Sequence, residues 1–232
     1  MDLYVPLILA IIPTILLVRY FYFQDINKPE PVGLIIKIFV IGILSVIPII
    51  LIELMVARII AITTFQNNVI FNSFCQAFII AGLCEEAMKL FIVRKFIFNN
   101  NHFDEIMDGI VYTIVASLGF ACIENILYVI EGGVTVALMR GVTAVPLHAI
   151  ASGIMGYFIG KAKFSTTNTS SLLFKGLLIA IGVHGSYNFV LFISPTYGFM
   201  YSLLIFPILI LSYLKLKFYI NSAVEEDLNE NI

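Results

Sequence analysis

Six polar side chains lie inside stretches of this sequence that are otherwise apolar. A charged group near the centre of a membrane-spanning helix costs about 2.5–3.5 kcal/mol on insertion scales, so such groups normally face a protein interior or a wet cavity. Polar groups on four separate segments call for one shared explanation. They are three carboxylates, two imidazoles and an amide: Glu85, Glu86, Glu124, His148, His184 and Asn188.

Two chemistries suit this set. In the first, a buried glutamate acts as a general base on water, while imidazole and amide donors stabilise the oxyanion that forms during hydrolysis. In the second, histidine and glutamate side chains hold a divalent metal. The sequence contains no HExxH motif, which leaves metal the weaker alternative, and we predict no cofactor.

Helical spacing groups these residues on inward faces. Glu85 and Lys89 are four residues apart, so the lysine can offset a carboxylate charge, whereas Glu86 points about 100° round the helix. His184 and Asn188 are likewise four apart. His148 shares a face with the small residues that allow another helix to approach closely, Ser152 and Gly156.

The composition is that of an integral membrane protein. Of its 232 residues, 60% are hydrophobic and only 12% are charged, and the mean hydropathy is +1.02. A net charge of -2 is too small to imply a nucleic-acid partner, and we predict none. We expect an all-α, multi-pass bundle in the cell membrane, with the lipid bilayer as its surroundings.

Charged and turn-rich gaps divide the chain into apolar segments long enough to cross a bilayer. We predict about seven transmembrane helices, near 3-22, 33-57, 69-93, 108-130, 138-160, 173-193 and 199-217. Most basic residues then fall in the gaps on one side, so the positive-inside rule favours an outside N-terminus and a cytoplasmic C-terminus. Residues 1-220 form one domain in this interpretation, and 221-232 form an acidic cytoplasmic tail with no catalytic role.

Four ordered motifs resemble those of the PrsW-type family of bacterial intramembrane proteases. This family is related to the prenyl-protein CAAX proteases and to the scaffold subunit of gamma-secretase. The matching stretches cover most of the chain: EExxK at Glu85 to Lys89, FxxxE at Phe120 to Glu124, His148 with Gly156, and HxxxN at His184 to Asn188. The segments 28–31 and 103–109 are also similar to family signatures.

The resemblance implies a glutamic-type intramembrane endopeptidase that makes the first cut in a single-pass membrane protein such as an anti-sigma factor. It assigns Glu85 and Glu86 to the essential glutamate pair and His184 to the essential histidine. By similarity to the prenyl-protein proteases, Glu85 activates water, and His184 and Asn188 donate to the oxyanion. Glu124 stands where those relatives carry a histidine, so its role stays open: holding water, sharing a proton with Glu85, or pairing with His148.

Two other classes of function remain open at this stage. An ion-coupled transporter can also line a path with Glu, His and Lys, although the chain shows no repeated halves with interrupted helices. A non-catalytic scaffold can bind other membrane proteins through the same polar faces. The adjacent carboxylates Glu85 and Glu86 favour the protease.

Overall fold

The computed structural model describes residues 4–25, 28–63 and 68–230, and this part of the chain is helical with no strand. The all-α prediction is therefore confirmed. The first half contains α1 (Tyr4–Tyr22), α2 (Val32–Leu44), α3 (Val46–Thr63), α4 (Val69–Phe74), a π-helix (Cys75–Leu83) and α5 (Cys84–Phe96). The second half contains α6 (Ile106–Val142), α7 (Ala144–Phe164), α8 (Thr169–Tyr197), a 3-10 helix (Phe199–Leu204) and α9 (Ile205–Glu230).

Within the described residues the seven predicted apolar segments are helical, with single-residue breaks at Ser45 and Thr143. Within the described ranges, five helical runs are long and apolar enough to cross a membrane, which confirms a multi-pass membrane protein. They are 4–22, 32–61, 106–164, 169–197 and 199–229. The run from α4 through α5 is not among these five and carries the charged residues around Glu85. Seven crossings and the N-out orientation stay predictions.

The run from α6 through α7 folds back on itself at Gly133. Gly133 has φ 66° and ψ −156°, a conformation that a residue with a side chain rarely adopts, and it interrupts α6. The two arms are antiparallel: Arg140 donates a hydrogen bond to Asn125, and Ser117, further from the turn, donates to the backbone oxygen of His148. At 1.5 Å per residue the arms 106–132 and 134–164 extend about 40 and 46 Å, enough for each to span the hydrocarbon.

Glycines bring the two arms of this hairpin into backbone contact. A Cβ built on Gly156 would lie 2.7 Å from Ile110 Cα and closer still to Gly109 O, and one on Gly160 would lie 2.9 Å from Ile106 Cα. Such distances are too short for any side chain, so only glycine permits this approach. The close packing sets the register that places Glu124 beside His148.

The hairpin occupies the centre of the bundle. In the 18-residue apolar stretch that marks the hairpin as a candidate span, 94% of the residues are buried inside the protein. The corresponding stretches of the other four candidate spans are only 17–33% buried. Those outer helices expose many large apolar side chains, among them Ile8, Leu51, Leu54 and Leu211. This arrangement suits a bundle surrounded by lipid, where the outer surface need not be polar.

Residues 221–230 of the segment expected as an acidic tail form the end of α9, and residues 231–232 lie outside the described ranges. Asp227 is buried, and its carboxylate accepts hydrogen bonds from the backbone N–H groups of Ile106 (2.8 Å) and Met107 (3.1 Å). Glu226 pairs with Lys161 and accepts from Tyr157. A carboxylate at a helix N-terminus is electrostatically favourable, which explains why this segment docks on α6.

We predict that Gly156→Ala destabilises the protein, because the added methyl group meets the backbone of α6. Overpacking of this kind typically costs about 1–3 kcal/mol. Gly182→Ala, on α8 with nothing within 4 Å of the new Cβ, is the matched control and should be neutral or slightly stabilising. Thermal unfolding of both purified variants in detergent measures the difference; equal midpoints would contradict the close-packed hairpin.

Candidate active site

The helix that carries the paired glutamates begins in an unusual way. Nine residues of π-helix, Cys75–Leu83, lead directly into α5 and end two residues before Glu85. π-Helical turns are uncommon and occur often at functional sites, because the extra residue per turn rotates the side chains that follow. No pattern in the sequence indicated this segment.

Glu86 is completely enclosed. Its carboxylate accepts hydrogen bonds from the Lys89 ammonium (2.6 Å), from Ser152 Oγ (2.9 Å) and from His184 Nδ1 (2.9 Å). These donors come from α5, α7 and α8, so one carboxylate links three helices. Because an ionised carboxylate only accepts, His184 Nδ1 carries a proton and its Nε2 faces away from Glu86.

Glu85 differs from its neighbour in that it lines a cavity of about 410 Å³. Its Oε2 lies 3.3 Å from Lys89 Nζ, 3.8 Å from His148 Nδ1 and 3.9 Å from His184 Nε2. Glu86 does not line this cavity. The two adjacent carboxylates therefore have different environments, one facing open space and one enclosed by donors.

Lys89 links the carboxylates to His148. Its ammonium lies 3.1 Å from His148 Nδ1, in addition to the contacts with Glu85 and Glu86. An ammonium has three donors and no acceptor, so all three are used and His148 Nδ1 must accept. The neutral imidazole then donates from Nε2, which lies 2.8 Å from Glu124 Oε2.

Glu124 is held by two partners at the far side of the cavity. Besides His148, it pairs with Arg140 at 3.0 Å. Arg140 in turn donates to Asn125 Oδ1 (3.0 Å), and Asn125 donates to the backbone oxygen of Ala10 (2.9 Å). A continuous network thus runs from α1 through the hairpin to the glutamate pair on α5.

The structure brings the six predicted site residues together. Five of them line the one cavity, and Glu86 lies directly behind it: the lining includes Glu85, Glu124, His148, His184 and Asn188. Within the described residues the Asn188 side chain forms no hydrogen bond, so its amide is available to a bound molecule. Glu53 of α3 also lines the cavity.

Three further residues complete the site. Ser117 donates to the backbone oxygen of His148 (3.0 Å), Ser152 donates to Glu86, and Arg140 lines the cavity. The sequence indicated Ser152 only as a small residue on the face of His148, and serines in membrane helices are too common to be assigned as donors from spacing. The pairing of Arg140 with Glu124 depends on the turn at Gly133, which residue spacing does not show.

Comparison with known proteins places this chain in a family. A model described as "PrsW family intramembrane metalloprotease" matches residues 30–212. "Protease PrsW" of Oceanobacillus iheyensis is 40% identical over 182 residues (78% of this chain and 80% of the relative). The protein of that name from Geobacillus kaustophilus is 35% identical over 82% of this chain and 81% of its own length. The one from Clostridioides difficile is 34% identical over 88% of this chain and 85% of its own length. No solved structure matches.

The chain therefore belongs to the PrsW family of intramembrane proteases, and the resemblance inferred from its motifs is confirmed. The family description implies a metal ion at the active site. Glu85, Glu86, His148 and His184 have the right residue types, and their ligand atoms lie within 4.8 Å of one another. By type and spacing alone, this set could hold a zinc-like ion.

The position of Lys89 does not fit a metal at that point. Its ammonium lies at 2.6–3.3 Å from Glu85, Glu86 and His148, where a divalent ion would have to sit. An ion 2.0–2.1 Å from these same atoms would place two positive centres almost in contact. We therefore derive no chemical step through a metal.

We predict that Lys89→Met strongly destabilises the protein, because it leaves two buried carboxylates without their shared cation. Breaking a buried ion pair typically costs about 3–5 kcal/mol. Lys37→Met, at an exposed position of α2, is the matched control. Thermal unfolding and the yield of monodisperse protein measure the effect, and Lys89→Met/Glu85→Gln should recover part of the loss. An unchanged midpoint for Lys89→Met would contradict this role.

Proposed function

We propose that this PrsW-family protease cuts single-pass membrane proteins by means of a water molecule that Glu85 activates. The observation that carries the proposal is the division between the paired glutamates. Glu85 faces the cavity, where substrate and water have access, whereas Glu86 is enclosed and fully hydrogen-bonded. The first environment suits a base that exchanges protons, and the second suits a fixed charge.

In this mechanism Glu85 takes a proton from water as the water oxygen attacks the scissile carbonyl carbon. The same carboxyl group then returns the proton to the leaving amine when the C–N bond breaks. Lys89, 3.3 Å from Glu85 Oε2, orients the carboxylate and keeps it ionised for the first step. A low-dielectric cavity makes these charge interactions stronger than they are in water.

Glu86 holds His184 in place for the second task, which is stabilising the oxyanion. Because Glu86 accepts a hydrogen bond from the Nδ1–H group of His184, His184 Nε2 points to the cavity side, 3.9 Å from Glu85 Oε2. Asn188, one helical turn further along α8, adds amide donors on the same face. Donors aimed at the developing negative charge commonly provide one of the largest contributions to catalysis.

In this mechanism His184 is doubly protonated, since Nδ1 donates to Glu86 and Nε2 must also carry a proton in order to donate to the oxyanion. The carboxyl groups in and behind the cavity outnumber the cations Lys89 and Arg140, which favours that second proton. Glu124 then acts indirectly, since it accepts from His148 and so fixes the ring that contacts Lys89. Of the three roles left open for Glu124, we favour this one.

The substrate class follows from the family resemblance. We propose a first cut in a single-pass protein such as an anti-sigma factor, bound as an extended strand where its helix has opened. The cavity is bordered by α3, the π-helix and α8, which contribute Ala57, Ile80 and Phe192 among others. These apolar side chains suit the flanks of a membrane-embedded cleavage site.

We predict that Glu85→Gln abolishes cleavage while the protein still folds, because glutamine keeps the shape of the side chain but removes its basicity. The test is co-expression of wild type and variant with candidate single-pass anti-sigma factors, in a host without its own protease of this family. Immunoblotting for a shortened product gives the readout. Glu131→Gln, at an exposed position by the hairpin turn, is the matched control and should cleave normally.

Two results would contradict the glutamate mechanism. One is full cleavage by Glu85→Gln at membrane levels equal to wild type. The other is complete loss of wild-type activity in purified protein treated with 1,10-phenanthroline, with recovery on addition of zinc, since this chelator removes transition metals. Absence of any fragment across a broad substrate panel would instead count against the proposed substrate class.

We also predict that Asn188→Ala lowers kcat by about 10²–10³-fold with little change in KM, because a donor to an oxyanion acts mainly in the transition state. Cleavage of a reconstituted substrate at saturating concentration measures kcat. Thermal unfolding should be unchanged, since the side chain forms no hydrogen bond within the described part of the chain. A rise in KM alone would assign Asn188 to substrate binding.

A further inference from the structure

A second group of carboxylates lies at the end of the bundle away from the turn at Gly133. Asp25 follows α1, Glu30 precedes α2, and Asp108 lies in the first turn of α6. All three are buried, and one oxygen from each lies within 4.8 Å of the others. The protease site uses none of them.

Two buried oxygens in this group, Asp25 Oδ2 and Asp108 Oδ1, receive no hydrogen bond from an N–H or hydroxyl donor among the described residues. Asp108 and Glu30 lie at hydrogen-bond distance from each other, so these two carboxyl groups either share a proton or bind a cation together. Leaving a buried carboxylate oxygen without a donor or a cation is costly, so such atoms are rare in folded proteins. Their convergence in one place indicates a positively charged ligand.

The other oxygens of the group are held in position by the protein. Asp108 Oδ2 accepts from the backbone N–H groups of Asp104 (2.8 Å) and Glu105 (2.7 Å). Glu30 accepts from the Tyr112 hydroxyl, and its backbone oxygen accepts from Tyr22 at 3.1 Å. These bonds aim the remaining carboxylate oxygens at a common point.

Negative charge dominates the surroundings. Asp104, Glu105 and Asp227 lie nearby, while Lys28 lies 3.9 Å from Asp104 and 3.7 Å from Glu105. The carboxyl groups of this region outnumber its nearby basic groups, Lys28 and His102.

An acidic cavity adjoins the group. It has a volume of about 510 Å³, borders Asp25 and is lined by further acidic side chains, namely Glu105, Glu225 and Asp227. Acidic walls raise the local concentration of cations. Cations are therefore concentrated next to the buried group.

We propose that Asp25, Glu30 and Asp108 bind a divalent cation of the oxygen-preferring class, Ca²⁺ or Mg²⁺. Three carboxylates without histidine or cysteine are typical of these hard ions. The ligand oxygens lie within 4.8 Å of one another, which is compatible with the metal–oxygen distances of Ca²⁺, about 2.3–2.6 Å.

The ion would join three parts of the chain that are distant in sequence. It fixes the connection between α1 and α2 against the first turn of α6, which Asp227 of α9 also caps. This site stabilises the helix that carries Glu124 and does not take part in peptide hydrolysis. Its presence is therefore independent of the proposed catalytic mechanism.

The test uses the purified full-length protein in detergent after removal of divalent ions with EDTA. Addition of CaCl₂ or MgCl₂, with NaCl of equal ionic strength as reference, should raise the unfolding midpoint saturably. We expect a rise of about 5–10 °C at a concentration roughly 100-fold above Kd. Asp25→Asn should lose this rise, whereas Asp104→Asn, an exposed acidic neighbour outside the group, should keep it.

Direct binding is measured with Tb³⁺, whose emission neighbouring tyrosines sensitise. The chain has eleven tyrosines and no tryptophan, and Tyr112 contacts Glu30 directly. Emission on excitation of tyrosine should fall severalfold in Tyr112→Phe and in Asp25→Asn. The proposal would be overturned if neither ion raised the unfolding midpoint saturably, or if Asp25→Asn showed an equal rise. Either result would indicate carboxyl groups that share a proton instead of binding a cation.

Discussion

The ammonium of Lys89 is the interaction on which the site depends. It contacts Glu85, Glu86 and His148 at 2.6–3.3 Å, and each of its three protons has one acceptor. Without this cation two adjacent carboxylates could not remain ionised inside an apolar bundle, since their mutual repulsion and desolvation would not be offset. The tautomer of His148 follows from the same arrangement, because its Nδ1 must accept from Lys89, whereas Glu86 fixes the Nδ1 proton of His184.

The hairpin of α6 and α7 provides the rigid support for this charge cluster. Its arms pack backbone to backbone at Gly109, Gly156 and Gly160, which leaves no freedom of register. His148 is thereby held between Glu124 and Lys89, and Ser152 reaches Glu86. A membrane bundle gains little from the hydrophobic effect between helices, so close packing and buried hydrogen bonds must provide its specificity.

The two acidic clusters differ in how their charge is balanced. In the protease site Lys89 and Arg140 lie among the carboxylates, and the unoccupied volume is on the side of Glu85. In the second group the convergent oxygens of Asp25 and Asp108 lack donors within the described residues. The first arrangement suits a cavity that admits a peptide and water, and the second suits a small cation.

The sequence alone determined the helical class, the membrane location and the residues of the candidate site. Long apolar segments indicate membrane helices, and charge inside such segments is costly, so the few ionisable residues within them indicate the site. The sequence also determined the family, since four spaced motifs lie in order along the chain. Only the tertiary structure decided that Glu85 faces the cavity while Glu86 does not, that Arg140 pairs with Glu124, and that Asp227 caps α6. The first outcome depends on the π-helical rotation before α5, the second on the turn at Gly133, and the third on the packing of α9 against α6; none follows from residue spacing on a regular helix.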